Sequence, residues 1–349
     1  MKTTRRLILG ACLAATLPLA TQAQNLTEIK VSYQPALYWA LPFHIATEKG
    51  WWAELGLKPV FSTFPAGVPQ IAASASKSWD VGGTGGVPAV LGHVRFGIKT
   101  IGVSNDESAG NALLARKEVA DRFMKDPASI KGQTIVLTAN STGDYAVQSC
   151  LKRWGLSKAD VTIKNMGQAE IISAMSSNNA DLGGLWAPNI YTMEEKAGAR
   201  VLCSGKEGGA FVPGALIVRG EYAEQQPENV AKFLAIYLRA WSWANANKAE
   251  AIAMMKKFYE QGGVNISEAS MHKEFDTRPT YNLEQQLANM NRAGGAASRT
   301  DGWFAAIGEF MRGTGAVPAV PAPADFVTDA FMKRVAADPK LREFANRTK

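Results

Sequence analysis

Thr134-Ile135-Val136-Leu137-Thr138-Ala139-Asn140-Ser141-Thr142-Gly143-Asp144-Tyr145-Ala146-Val147-Gln148-Ser149-Cys150-Leu151 reads as a strand that turns through a polar loop into a helix. The β-branched, apolar run Thr134 to Thr138 has the composition of a buried strand. From Asp144 onward, Tyr145, Val147, Cys150 and Leu151 recur at helical spacing. Ser141 and Thr142 are favourable N-cap residues, and Gly143 lets backbone approach closely. Hydroxyls and free N–H groups therefore collect at the positive end of a helix, a geometry that suits a small anion. Taken alone, the loop is as well explained by ordinary capping, with Asp144 offsetting the dipole. A functional reading needs the same device elsewhere in the chain.

That repetition is present. Strand and helix alternate from Ile29: strand Ile29 to Gln34, helix Pro42 to Leu55, strand Leu57 to Thr63, and a helix opening at Ala66-Gly67. A short strand then passes through Asp80-Val81-Gly82-Gly83-Thr84-Gly85-Gly86 into a helix with Pro88 in its first turn, and Ile98 to Val103 is a further strand. Short connections between alternating elements predict a parallel α/β sheet. The pattern restarts at Ile130 and reaches Asp181-Leu182-Gly183-Gly184, which matches Asp80-Val81-Gly82-Gly83 in order and context. This is a weak internal repeat of one lobe plan. The expected organisation is a first lobe over 24–112, a second over 113–211, and a return to the first lobe with C-terminal helices over 212–349. A helix starting at Pro227 carries Val230, Phe233, Leu234, Tyr237, Leu238 and Trp241 at core spacing, and Ala316 to Pro323 should run extended.

The 349 residues, 46% apolar and 20% charged, suffice for two cores. Lys2, Arg5 and Arg6, an apolar run from Leu7 to about Leu19, and Thr21-Gln22-Ala23 predict a cleaved secretory signal over 1–23. Thr4 to Leu9 is only weakly like a twin-arginine signal. Leu9-Gly10-Ala11-Cys12 has lipoprotein spacing, but the apolar run continues past it, so lipid anchoring is the minority reading. Cleavage would take the formal net charge from +7 to +4, which permits an anionic ligand. The mature chain has no second long apolar run and no basic block with interleaved aromatics. A soluble monomer without nucleic-acid partners is expected. Cys150 and Cys203 either pair or remain buried thiols, because nothing in the sequence sets their separation.

Catalytic, metal-binding and cofactor-binding apparatus is not expected. The three histidines, His44, His93 and His272, lack ligand spacing, no Gly-x-Ser-x-Gly occurs, and Pro88 takes the place of the third glycine of a dinucleotide fingerprint. Two exported α/β lobes of this kind predict a hinged binding protein, with helix N-termini at Gly67, Gly85-Gly86 and Ser141-Thr142 converging on one cleft.

At this point the residues resemble the periplasmic solute-binding components of ABC importers for nitrate, sulfonate and taurine. The resemblance spans nearly all the mature chain: Val31 to Gln34 with Leu41 to Gly50, Ile130 to Ile135, Ser141 to Tyr145, and Leu185-Trp186-Ala187-Pro188. Taurine-binding proteins are especially similar at Trp154-Gly155-Leu156, Thr280-Tyr281 and Gly315 to Val320. The resemblance implies a type II two-lobed periplasmic binding fold, delivery of ligand to a membrane permease, and partnership through that permease with its ATPase. It also implies an acid in the strand that here reads Ala210 to Leu216, where this chain has Gly214. Glycine at 86 and 214 is expected to enlarge the pocket and to favour a bulkier sulfonate or carboxylate over taurine.

The candidate site follows. Backbone N–H groups of Gly85, Gly86 and Thr142, with the Ser141 and Thr142 hydroxyls and the helix start at Gly67, would hold the acid group. Tyr38, Trp39 and Trp186 would flank the ligand body, and Gln34 would hydrogen-bond across the cleft. Glu107 and Asp144 are either partners for an amine or hydroxyl, or turn and cap residues. A thiamine-pyrimidine-precursor synthase of the same fold is the enzyme alternative, and a periplasmic sensor input the other.

Overall fold

A computed structural model describes residues 25–349; the signal sequence expected over 1–23 and the Cys12 box lie outside them. The described strands are β1 (Thr27–Tyr33), β2 (Leu57–Thr63), β3 (Val81–Gly85), β4 (Lys99–Asp106), β5 (Asn111–Ala115), β6 (Thr134–Leu137), β7 (Thr162–Asn165), β8 (Leu182–Trp186), β9 (Arg200–Ser204) and β10 (Pro213–Val218). They form two five-stranded sheets, ordered β2-β1-β3-β10-β4 and β7-β6-β8-β5-β9. Each sheet is mixed rather than wholly parallel. β1 pairs in parallel with β2 and β3, and β6 with β7 and β8, while β10 and β5 run antiparallel to both of their neighbours. A strand that enters a sheet from the other lobe arrives from the opposite end, which reverses its direction.

The repeat suspected from the two Asp-aliphatic-Gly-Gly runs has a structural counterpart. β3 and β8 occupy the middle of their sheets, and the acid before each pairs with the arginine that follows the antiparallel strand beside it. Arg219 lies 2.9 Å from Asp80, and Arg116 lies 2.7 Å from Asp181. The arginine backbone N–H also donates to the aspartate carbonyl at 3.0 Å in both cases. The chain crosses between sheets from Asp106 to Asn111 and returns from Ser204 to Pro213. Asn111 and Ala112, expected at the end of the first lobe, thus begin β5 of the second sheet.

The helix expected to start at Pro42 begins at Leu37 instead, with Pro42 in its interior. Proline cannot donate to the carbonyl of Tyr38 four residues back. The Tyr237 hydroxyl, from the helix Pro227–Ala246, donates to that carbonyl at 2.7 Å. A tertiary contact thus replaces the missing helical bond. Phe233, Leu234, Tyr237 and Leu238 of the same long helix are buried, as their spacing predicts, each contributing roughly 1.5–3 kcal/mol of apolar burial. Helices Glu268–Thr277, Leu283–Met290 and Pro339–Asn346 complete the C-terminal region and were not legible from periodicity. The helix Ala330–Ala337 precedes the last of these.

Cys150 and Cys203 form a disulfide with a Cα–Cα distance of 6.0 Å, joining the helix Thr142–Arg153 to β9. This resolves the alternative left open by the sequence. No helix among the described residues is long and apolar enough to cross a membrane.

Candidate functional site

The carboxyl ends of the mutually parallel strands in both sheets, with the amino ends of the antiparallel β5 and β10, face one interlobe cleft. Gln34, Trp39, Gly67, Gly85, Glu107, Ser141, Thr142 and Trp186 line it, together with Ala36, Pro88, Ala187 and Arg278. Eight of the candidate residues therefore meet in one place. The cleft is a narrow space of about 370 Å³, its open mouth included. The lobes are closed upon it: a Cβ at Gly85 would lie 2.6 Å from the Thr142 methyl of the opposite lobe.

Three candidates are not in the lining. Tyr38 is 1% exposed, and its hydroxyl donates to the Glu274 carbonyl at 2.8 Å. Its ring supports the Arg278 guanidinium, 4.1 Å away, instead of flanking a ligand. Asp144 is buried on the inner side of its loop, accepting from the Asn140 N–H at 3.1 Å and the Gln148 amide at 2.7 Å. Burial pushes its carboxyl above the usual range. Gly86 faces the first lobe, where a Cβ would strike Ile307 and the Pro213 carbonyl at 2.7 Å.

The helix-terminus reading also needs adjustment at atomic level. The Ser141 hydroxyl donates to the Thr138 carbonyl at 2.7 Å and accepts from the Asp144 N–H at 3.2 Å, and the Thr142 hydroxyl donates to Asn111 at 3.3 Å. Their hydrogens are committed to the fold. What the helix offers the cleft is its first backbone N–H groups, which have no intrahelical acceptor. Gln34 is similarly held, its amide donating to Gln70 and, at 3.0 Å, to Thr84.

The strongest electrostatic features are Glu107 and Arg278. Glu107 sits on the first crossing, its N–H donating to the Val212 carbonyl of the second crossing at 2.7 Å. It is 1% exposed; Oε2 accepts from Asn111 at 3.3 Å, while Oε1 has no partner. Burial raises its pKa to about 8, with Arg278 and the Asn111 amide opposing the rise. Glu107 Oε1 occupies the space beside Gly214: a Cβ there would lie 2.4 Å from Oε1 and 2.1 Å from Ser104 Oγ. Gly214 thus makes room for an acid from a neighbouring segment and does not enlarge the pocket.

Arg278 was not anticipated. It follows the helix Glu268–Thr277, is 3% exposed, and donates to Glu274 at 2.9 Å while its Nε remains unpartnered. Burial works against its charge, but Glu274, Tyr38 and Glu107 raise its pKa above that of ordinary arginine. It is tied next to Glu107 because the Asp106 N–H donates to the Pro279 carbonyl at 3.0 Å. In the sequence, Glu274 and Arg278 have the spacing of an everyday surface ion pair, so only their burial distinguishes them. Trp39 Nε1 is a further buried donor without a partner. The cleft therefore presents a cation, a buried indole N–H and helix N–H donors for an anion, and one carboxyl oxygen that lacks a donor. Among the described residues, no group of three or more His, Cys, Asp or Glu is gathered as a metal site.

A family model described as NMT1/THI5 like matches residues 40–251, more than half of the chain. A Bacillus subtilis protein provisionally named an aliphatic sulfonates-binding protein is 29% identical over 65% of this chain and 68% of its own length. The taurine-binding periplasmic protein of Escherichia coli is 28% identical over 63% of this chain and 67% of its own. The crystal structure of the periplasmic aliphatic sulphonate binding protein SsuA from Escherichia coli has a TM-score of 0.70 at 17% identity, covering 88% of this chain and 99% of that one. The architecture is that of the two-lobed periplasmic binding proteins, and the chain belongs to the NMT1/THI5-like family.

Proposed function

We propose that this protein is the periplasmic solute-capture component of an ABC importer, holding a small organic anion between its lobes and presenting it to a permease. The observation that carries the ligand class is the pairing of Arg278 and Glu107 on one small, closed cleft, each almost fully buried and each with an unpartnered polar atom. Unpartnered buried groups are costly unless a ligand completes them. An anionic end would take the Arg278, Trp39 and helix N–H donors. A hydrogen-bond donor on the same molecule, an ammonium above all, would complete Glu107 Oε1. A short amino-sulfonate or amino-carboxylate fits both ends, in keeping with relatives named for sulfonates and taurine. The preference for a bulkier ligand loses its support, because neither Gly86 nor Gly214 opens into the cleft. The synthase alternative needs free cysteine ligands, and the disulfide leaves no thiol among the described residues.

Isothermal calorimetry of the mature protein with taurine, ethanesulfonate, ethylamine, a short amino-carboxylate and nitrate tests this reading. Taurine or the amino-carboxylate should bind at least tenfold more tightly than ethanesulfonate, and ethylamine not at all. Ethanesulfonate binding as tightly as taurine would remove Glu107 from recognition. No binding by any of the anions would overturn the anion cleft.

A further inference from the structure

Arg278 owes its position to the helix Glu268–Thr277, whose opposite end is gripped by the other lobe. Ser267 caps this helix, its Oγ accepting from the Ser270 N–H at 3.2 Å. Glu195, from the helix Asn189–Ala197 between β8 and β9 of the second lobe, places its carboxylate on that cap. It accepts from the Ser267 N–H at 3.0 and 3.1 Å, from the Ser267 hydroxyl at 2.6 Å and from the Ser270 hydroxyl at 2.6 Å. One turn further along, Lys273 lies 3.5 Å from Glu194 and 5.4 Å from the Tyr191 ring centre of the same second-lobe helix. Glu195 and Ser267 are both exposed, so the contact needs no buried partner and can form or part without unfolding either lobe. A carboxylate at a helix start gains from the free N–H groups and the dipole, and charge-assisted hydrogen bonds are stronger than neutral ones.

We propose that Glu195 is a positioning residue for ligand retention: by capping Ser267 only when the lobes are closed, it fixes the helix Glu268–Thr277 and so holds Arg278 over the cleft from outside it. Closure and ligand affinity then share one contact that never touches ligand. The second lobe fastens the helix at one end, and the ligand is held at the other. The proposal rests on the cleft being the ligand site, and its test is arranged so that the two can fail separately.

The experiment compares wild type, Glu195→Ala, Glu195→Asp and Ser267→Ala. Taurine and ethanesulfonate are the probes, followed by stopped-flow tryptophan fluorescence, with small-angle scattering of each protein free and loaded. Glu195→Ala should release the bound probe about tenfold faster, as expected for the loss of charge-assisted hydrogen bonds, while association changes less than twofold. Its far-UV circular dichroism and the cooperativity of its unliganded melt should match wild type, which separates the effect from misfolding. Ser267→Ala, which leaves the backbone N–H in place, should show a smaller acceleration. Glu195→Asp, which keeps the carboxylate, should release the probe more slowly than Glu195→Ala, and equal rates would count against the carboxylate cap. Release rates of Glu195→Ala within twofold of wild type would overturn the proposal. Should wild type bind neither probe, the ligand reading fails, and scattering alone decides the latch. Glu195→Ala must then show a larger mean radius than wild type in the free state, and equal radii would sink it.

Discussion

Replacing Glu107 with glutamine preserves shape and removes one titration. The folded-state pKa of Glu107 is about 8 against an ordinary value of 4.5, because the carboxyl is buried. The folded protein therefore keeps a proton that the unfolded chain loses as pH rises. Below about pH 4.5 both states are protonated and Glu107 adds no pH dependence. Between 4.5 and 8 the unfolded state ionises first, so wild-type stability falls with pH by about 1.4 kcal/mol per unit and levels off above 8. The accumulated loss is about 3 kcal/mol at pH 7 and about 5 kcal/mol above pH 8. The Glu107→Gln variant has no such slope, and every other group cancels in the difference. Urea unfolding followed by tryptophan fluorescence at pH 4.5, 6, 7 and 8.5 should show the variant gaining on wild type as pH rises. A difference that stays constant over this range would refute the buried, protonated Glu107. The ligand side has its own signature. An ammonium beside Glu107 favours the carboxylate, so taurine binding at pH 7 should release close to one proton in wild type and none in the variant, read by calorimetry in buffers of different ionisation enthalpy.

Arg278→Met should destabilise the protein by about 3–5 kcal/mol, because Glu274 is left buried without its cation; urea midpoints measure it. Arg278→Lys should restore much of that stability yet bind taurine at least tenfold more weakly, since an ammonium cannot serve Glu274 and the ligand with a planar fork. Trp186→Ala should weaken binding beyond any change in unfolding midpoint, and unchanged affinity would remove Trp186 from the site. Reducing the Cys150–Cys203 disulfide, which spans 53 residues, should lower stability by about 2–4 kcal/mol; an unchanged calorimetric melt in reductant would show that the bridge contributes nothing.

Much of the cleft was legible because it is built from local chemistry. Strand ends, helix starts and the glycine runs that pass between them are short-range patterns, and they brought Gln34, Gly67, Gly85, Ser141, Thr142 and Trp186 to one lining. The misreadings share a cause. Whether Tyr38, Asp144 and Gly86 face ligand or core depends on which way the chain turns by one residue, and neighbours from distant segments decide it. The Pro42 start failed because Tyr237, almost two hundred positions away, supplies the hydrogen bond that proline cannot.

By itself the sequence determined the alternation of strand and helix, the doubling of the lobe plan and where the helices of the strand-to-helix turns start, because periodicity and capping act within a few residues. Only the tertiary structure decided the charge of the site. Glu107 comes from a crossing between lobes, and Arg278 comes from beyond both sheets. A carboxyl and a guanidinium that look solvated in the sequence become ligand-seeking only when folding removes their water.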